Sequence, residues 1–65
     1  MPRYPHIKVK LSGINGNAWN LLGVMSKAMK KAELPKEEIN LFTEQATSGD
    51  YNNLLRTCME WVDVE

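Results

Sequence analysis

The sequence predicts a small α+β domain in which one N-terminal strand is followed by three helices. The segment from His6 to Ser12 alternates apolar and polar residues, which is typical of a half-buried strand. The next three segments repeat apolar residues at spacings of three and four, which is typical of amphipathic helices. With 65 residues, the chain is expected to form a single domain over residues 1–65.

The predicted strand has an aliphatic face and a basic face, made respectively by Ile7, Val9 and Leu11 and by His6, Lys8 and Lys10. A single strand cannot satisfy its own backbone N–H and C=O groups. Its partner is either the tail at residues 62–65, itself a short strand or an extended end, or the same strand of another copy. We expect the second, because the tail offers too few residues for a full ladder.

Each helix has a recognisable start. Asn17 is a suitable N-cap for the first helix, Pro35 opens the second, and Asp50 is a suitable N-cap for the third. The first helix has an apolar stripe of Ala18, Leu22, Met25, Met29 and Ala32, widened by Leu21 and Ala28. The second buries Ile39, Phe42 and Ala46, and the third buries Tyr51, Leu54 or Leu55, Cys58, and Trp61 or Val62.

A chain this short has a marginal core of its own. Its one cysteine, Cys58, excludes an intrachain disulfide, and its one histidine, His6, lies too far along the chain to build a zinc site with it. We therefore expect a homo-oligomer, a dimer or a tetramer, with no cofactor. The lone cysteine, the lack of any apolar run near 20 residues and the polar N-terminus favour a cytoplasmic protein with no membrane partner.

The net charge is zero, yet the charges are sorted along the chain. Residues 1–31 hold six cations and no acid, whereas residues 32–65 hold all eight acids and two cations. Three explanations stay open: solvated faces that sort by chance, complementary contacts between subunits, or a basic face for an anion.

Catalysis has little support. His6 falls on the outer face of the strand, and Cys58 falls on the apolar stripe of the third helix, where a thiol acts as a small hydrophobic group. We expect that the protein is not an enzyme.

Two helix starts are candidate anion sites: Ser12–Asn17, and Thr47–Tyr51 with Arg56 further on. Free backbone N–H groups there suit a phosphate. Asp50 would repel an anion at the second start, so its hydroxyls or Arg56 would meet the phosphate. The alternative for the first segment is an ordinary strand-to-helix turn with a capping Asn, and the alternative for the second is a helix-turn-helix corner with Tyr51 packed against it.

Trp19 lies off the main stripe of the first helix, with Gly23 and Ser26 on its side. A flat ring beside small residues offers a shelf for a base or a partner side chain. Alternatively, Trp19 packs under the strand as part of the core.

Motifs across nearly the whole chain resemble a family of short, mostly uncharacterised phage and bacterial proteins: Gly16-Asn17-Ala18-Trp19, Leu22-Gly23, Thr47-Ser48-Gly49-Asp50-Tyr51 with Leu54-Leu55, and Trp61-Val62-Asp63-Val64-Glu65. In its size and its expected oligomerisation, the chain resembles phage immune-evasion sponges. These are viral proteins that form homo-oligomers in the host cytoplasm. Such anti-CBASS proteins sequester the cyclic-nucleotide signals of bacterial defence.

The link to the sponges implies nucleotide binding. Trp19 or Tyr51 would stack on bases, and phosphates and base edges would be held by a set drawn from Lys8, Lys10, Ser12, Asn15, Asn17, Thr47, Ser48 and Arg56.

Two other functions are compatible with the sequence. The chain could be a protein-interaction module, such as a phage-encoded inhibitor or adaptor, acting through the edge strand or the Trp19 face. DNA binding through the second and third helices is disfavoured, because the candidate recognition helix from Asp50 to Glu60 carries one arginine and the C-terminal half is acidic.

Overall fold

A computed structural model describes residues 2–11 and 16–65 and has the element order β-α-α-α-β. The elements are β1 at Tyr4–Val9, α1 at Ala18–Lys31, α2 at Lys36–Ala46, α3 at Tyr51–Trp61 and β2 at Val62–Val64. The predicted α+β class, with one N-terminal strand and three helices, is confirmed. The strand begins two residues earlier than predicted, and Ser12 lies outside the described residues.

The two strands form a parallel sheet. The Glu65 N–H donates to the Val9 carbonyl at 2.8 Å, and the Leu11 N–H donates to the Glu65 carbonyl at 3.2 Å. The three helices provide the long connection that a parallel pair requires. The tail therefore supplies the partner of β1, and the expectation that it was too short to do so is wrong. Pairing between copies stays a prediction.

The predicted N-caps of α1 and α3 are confirmed. The Asn17 Oδ1 atom accepts a hydrogen bond from the Trp19 N–H at 2.8 Å, and the Asp50 Oδ1 atom accepts one from the Asn53 N–H at 2.9 Å. These bonds satisfy backbone donors that have no partner within the helix. Because both caps are local, the positions where α1 and α3 begin are set by short stretches of sequence.

The core lies where the three helices meet the sheet. The face predicted for α2 is confirmed, since Ile39, Phe42 and Ala46 are buried. In α1 the buried residues are Leu21, Met25 and Met29, while Leu22 is only half-buried. Two predicted core residues are instead exposed, Ala32 at the end of α1 and Tyr51 at the start of α3.

Contacts beside the core fix the N-terminus to α2 and α3. The Arg3 guanidinium lies 4.7 Å from the centre of the Trp61 ring and forms a 2.8 Å ion pair with Glu38. The Tyr4 hydroxyl also donates to Glu38, and the Trp61 Nε1–H donates to the Gln45 Oε1 atom at 2.9 Å. These contacts hold Trp61 in place at the junction between α3 and β2.

Candidate functional site

The two helix starts singled out from the sequence lie side by side. The Tyr51 hydroxyl donates a hydrogen bond to the backbone carbonyl of Gly16. A Cβ atom at Gly16 would lie 3.2 Å from the Tyr51 hydroxyl oxygen, which is tighter than ordinary contact, so a side chain there would crowd this bond. The starts of α1 and α3 therefore form one surface.

A cavity of about 290 Å³ opens between these helix starts, and we call it the recess. Its floor is apolar and its rim is polar and aromatic; the floor consists of Ala18, Leu22, Ala46 and Leu54, and the rim of Trp19, Thr47, Gly49, Asp50 and Tyr51. Trp19 is 81% exposed and Tyr51 is 43% exposed. The structure thus places Trp19 outside the core and beside the second helix start.

The side-chain oxygen atoms on the rim of the recess face a ligand as acceptors, whereas the indole N–H of Trp19 is a donor. The Thr47 hydroxyl donates to the Thr43 carbonyl at 2.7 Å, and the Tyr51 hydroxyl donates to Gly16. Their hydrogens are therefore used within the protein, and the Asp50 carboxylate carries no hydrogen at all. Among the described residues, no Lys or Arg lines the recess. This chemistry suits a planar group with N–H donors better than a phosphate.

Asn17 and Ser48, which were also predicted to bind phosphate, form hydrogen bonds at helix ends. The Asn17 side chain caps α1, as described above. The Ser48 hydroxyl donates to the Gln45 carbonyl at 2.8 Å, and the Asn53 side-chain amide donates to the same carbonyl at 2.9 Å. Ser48 therefore helps join the end of α2 to the start of α3, and it does not line the recess.

Arg56 is exposed on α3, away from the recess. It follows Tyr51 by five residues, which places it about 140° around the helix from Tyr51. Arg56 therefore does not line the recess with Tyr51, and its role in holding a phosphate stays a prediction. Two further predicted residues, Ser12 and Asn15, lie outside the described part of the chain.

Lys8 and Lys10 line a second cavity, of about 410 Å³, between the end of β1 and α1. Lys27 and Lys31 of α1 line it as well, and we call this cavity the basic groove. All four lysines are exposed. Lys27 and Lys31 are not among the binding residues predicted from the sequence. Their spacing of four, which puts both on one flank of a helix, was the signal that could have found them.

The recess and the basic groove lie on different flanks of α1. The recess is lined by Trp19 and Leu22, whereas the groove is lined by Val24, Lys27 and Lys31. With about 100° between successive residues, these two sets point to different sides of the helix. A small ligand stacked on Trp19 therefore cannot also touch the four lysines of the same protomer.

The thiol is the remaining group that could carry chemistry. Cys58 is fully buried in the core, and burial raises the pKa of its thiol to about 11. A neutral buried thiol is a poor nucleophile. Within residues 2–11 and 16–65, no group of three His, Cys, Asp or Glu side chains could hold a metal ion, and no helix is long and apolar enough to cross a membrane.

No family model, curated protein or solved structure matches the chain. The resemblance to short phage and bacterial proteins therefore stays a prediction. What the protein does is inferred from the recess and the basic groove themselves.

Proposed function

We propose that the protein acts by binding, without catalysis, and that the recess holds a planar ring. The observation that carries this proposal is Trp19, which is 81% exposed beside the half-exposed ring of Tyr51 and above an apolar floor. A large aromatic side chain left in water at the edge of a cavity gains contact area when a flat group stacks on it. Such stacking is worth about 1–3 kcal/mol per base.

The ligand we propose is a base of a cyclic oligonucleotide. An exocyclic amino group can donate to Asp50 or to the Thr47 hydroxyl oxygen, which matches the acceptors on the rim. The phosphates stay outside the recess, because Asp50 repels them. Lys8 and Lys10 of a second copy would meet them, so this proposal includes a homo-oligomer.

The biological role that follows is sequestration. A protein that binds a signal nucleotide tightly and does not turn it over lowers the free signal in proportion to its own concentration. This is how a phage immune-evasion sponge would act in the host cytoplasm. The size of the chain and the aromatic recess support this role.

A second candidate function has its own supporting observation. The recess contains Asp50 and, within the described residues, no cation. An arginine side chain of a partner protein is planar, stacks on indole rings and pairs with carboxylates. The protein would then be an interaction module, such as an inhibitor or adaptor, with Trp19 at the centre of its interface.

The first experiment is a thermal-shift screen against cyclic di- and trinucleotides, with the mass measured by light scattering on the same samples. We expect one ligand to raise the melting temperature of an oligomer by several degrees. The shift should be lost in Trp19→Ala and kept in Met59→Ala. Met59 is a suitable control because it is 62% exposed on α3 and does not line the recess.

Asp50→Asn separates the two candidates, because asparagine keeps the N-cap and removes the charge. Nucleotide binding should persist in this variant, since the amino group of the base can still donate to the Thr47 hydroxyl oxygen and repulsion of the phosphates is gone. Binding of an arginine-containing peptide should weaken. If no nucleotide shifts the wild-type protein and the peptide binds through Trp19 and Asp50, the sponge proposal is wrong and the interaction module takes its place.

A further inference from the structure

We propose that the basic groove is a binding site for a compact polyphosphate anion and that it is complete within one protomer. Lys8 and Lys10 approach it from the end of β1, and Lys27 and Lys31 approach it from α1. The proposal does not depend on ring binding in the recess, because the two cavities share no residue, although Lys8 and Lys10 also meet phosphates of the cyclic nucleotide in the function proposed above.

The groove is a concave site with an apolar floor. Val9 is buried, and Val24 and Ala28 are half-buried, so the aliphatic surface between the lysines is fixed by packing of β1 on α1. The cavity of about 410 Å³ falls within the usual range of small-molecule sites. The four ammonium groups thus surround a preformed depression on the surface.

Among the described residues, none of these four lysines forms an ion pair with a carboxylate. The ion pair found there joins Arg3 to Glu38, on other elements. Even Asp63, which is in register with Lys8 across the sheet, forms no ion pair with it. The lysines of the groove are therefore not held in ion pairs, within a protein of zero net charge.

The spacing of the lysines brings like charges together. Lys27 and Lys31 are four residues apart on one flank of α1, a spacing at which like charges weaken a helix. Lys8 and Lys10 are two residues apart, so they extend from the same side of the chain. A bound polyanion would relieve both repulsions at once. We therefore expect an anion of several linked charges to bind more tightly than a single phosphate.

The extent of the basic surface favours a compact anion over a nucleic-acid strand. Nucleic-acid binders contact many phosphates along an extended basic stripe. Here four lysines surround one groove, and the C-terminal half of the chain holds all eight acids. The ligand chemistry we infer is therefore that of an oligophosphate or a nucleoside polyphosphate.

The test is calorimetric titration of the full chain with inorganic tripolyphosphate at fixed ionic strength, with inorganic phosphate as the comparison. The double variant Lys27→Gln/Lys31→Gln is compared with Lys30→Gln/Lys36→Gln. The control pair removes the same charge from the neighbouring cavity between α1 and α2, which Lys27 and Lys31 do not line. All four side chains are exposed, so both variants should fold.

We expect one tripolyphosphate per protomer, bound at least about tenfold more tightly than phosphate. Affinity should fall about tenfold or more in Lys27→Gln/Lys31→Gln and stay within about twofold in the control pair. Trp19→Ala should bind like the wild type. The proposal is overturned by equal losses in both lysine pairs, by the absence of saturable binding, or by a single-stranded oligonucleotide of equal charge that binds more tightly.

Discussion

The Tyr51 hydroxyl donates a hydrogen bond to the backbone carbonyl of Gly16, although the two residues are far apart in sequence. The bond joins the start of α3 to the residue just before the Asn17 cap of α1. Trp19 and Tyr51 both lie on the rim of the recess between these two helix starts. A binding site built on two rings benefits from such a connection, because the rings need less ordering when a ligand arrives.

Tyr51→Phe tests this connection while keeping the ring. We expect a loss of about 0.5 kcal/mol in the free energy of unfolding, the low end for a hydrogen bond, because the exposed Gly16 carbonyl can bond to water instead. Backbone amides at the start of α1 should exchange faster with solvent. Urea denaturation and hydrogen exchange measure the two effects, and unchanged exchange there would show that the bond does not order this surface.

Gly23→Ala should stabilise the protein. Gly23 is exposed within α1, and a Cβ atom there would meet no atom within 4 Å. Alanine in place of glycine inside an exposed helix gains about 0.5–1 kcal/mol. Gly49→Ala is the contrasting variant. Its Cβ atom would lie 3.0 Å from the Asn53 Cβ atom, so this substitution should destabilise the turn. A lower urea midpoint for Gly23→Ala would mean that another chain packs closely against this position.

Cys58 should be unreactive in the folded protein. Its pKa is raised from 9.0 to about 11 by burial, so the thiol stays neutral at physiological pH. Because the folded-state pKa is the higher one, the associated stability is fully present below pH 9 and is lost as the pH rises from about 9 through about 11. Thiol labelling should therefore follow unfolding. Rapid labelling at neutral pH in the absence of denaturant would contradict the packing around α3.

Glu65→Pro should weaken the pairing of β1 with the tail. Proline removes the N–H group that donates to the Val9 carbonyl at 2.8 Å, while the exposed Glu65 side chain contributes little to the core. We expect a loss of about 1 kcal/mol and faster exchange of the Leu11 amide. Glu65→Ala keeps the N–H group and should resemble the wild type. Equal stability of the proline and alanine variants would argue against this parallel pair.

The parts of the fold that depend on neighbouring residues could be predicted from the sequence. The caps Asn17 and Asp50 and the buried face of α2 are of this kind. Tyr51 has the spacing of a core residue, but it lies in the first turn of α3, where its hydroxyl bonds to Gly16. The pairing of β1 with β2 was missed because it joins the two ends of the chain, and no local pattern reports the register between them.

Individual residues of the candidate site could be predicted from the sequence, whereas their proximity in the folded chain could not. Trp19 and the start of α3 stood out in the sequence, yet only the packed helices show that they share one recess. Lys8 and Lys27 belong to different elements, and their proximity depends on how β1 packs on α1. Arg56 was grouped with the start of α3 by its place in the sequence, yet it does not line the recess.

The most direct test of ring binding uses the two indole N–H signals in a nitrogen–proton correlation spectrum. Trp19 lies at the recess, whereas the Trp61 Nε1–H is bonded to Gln45 and serves as an internal control. On titration with the cyclic nucleotide that shifts the melting temperature, the Trp19 indole signal should move saturably while the Trp61 signal stays in place. A nucleotide that binds with no movement of the Trp19 signal would contradict the account.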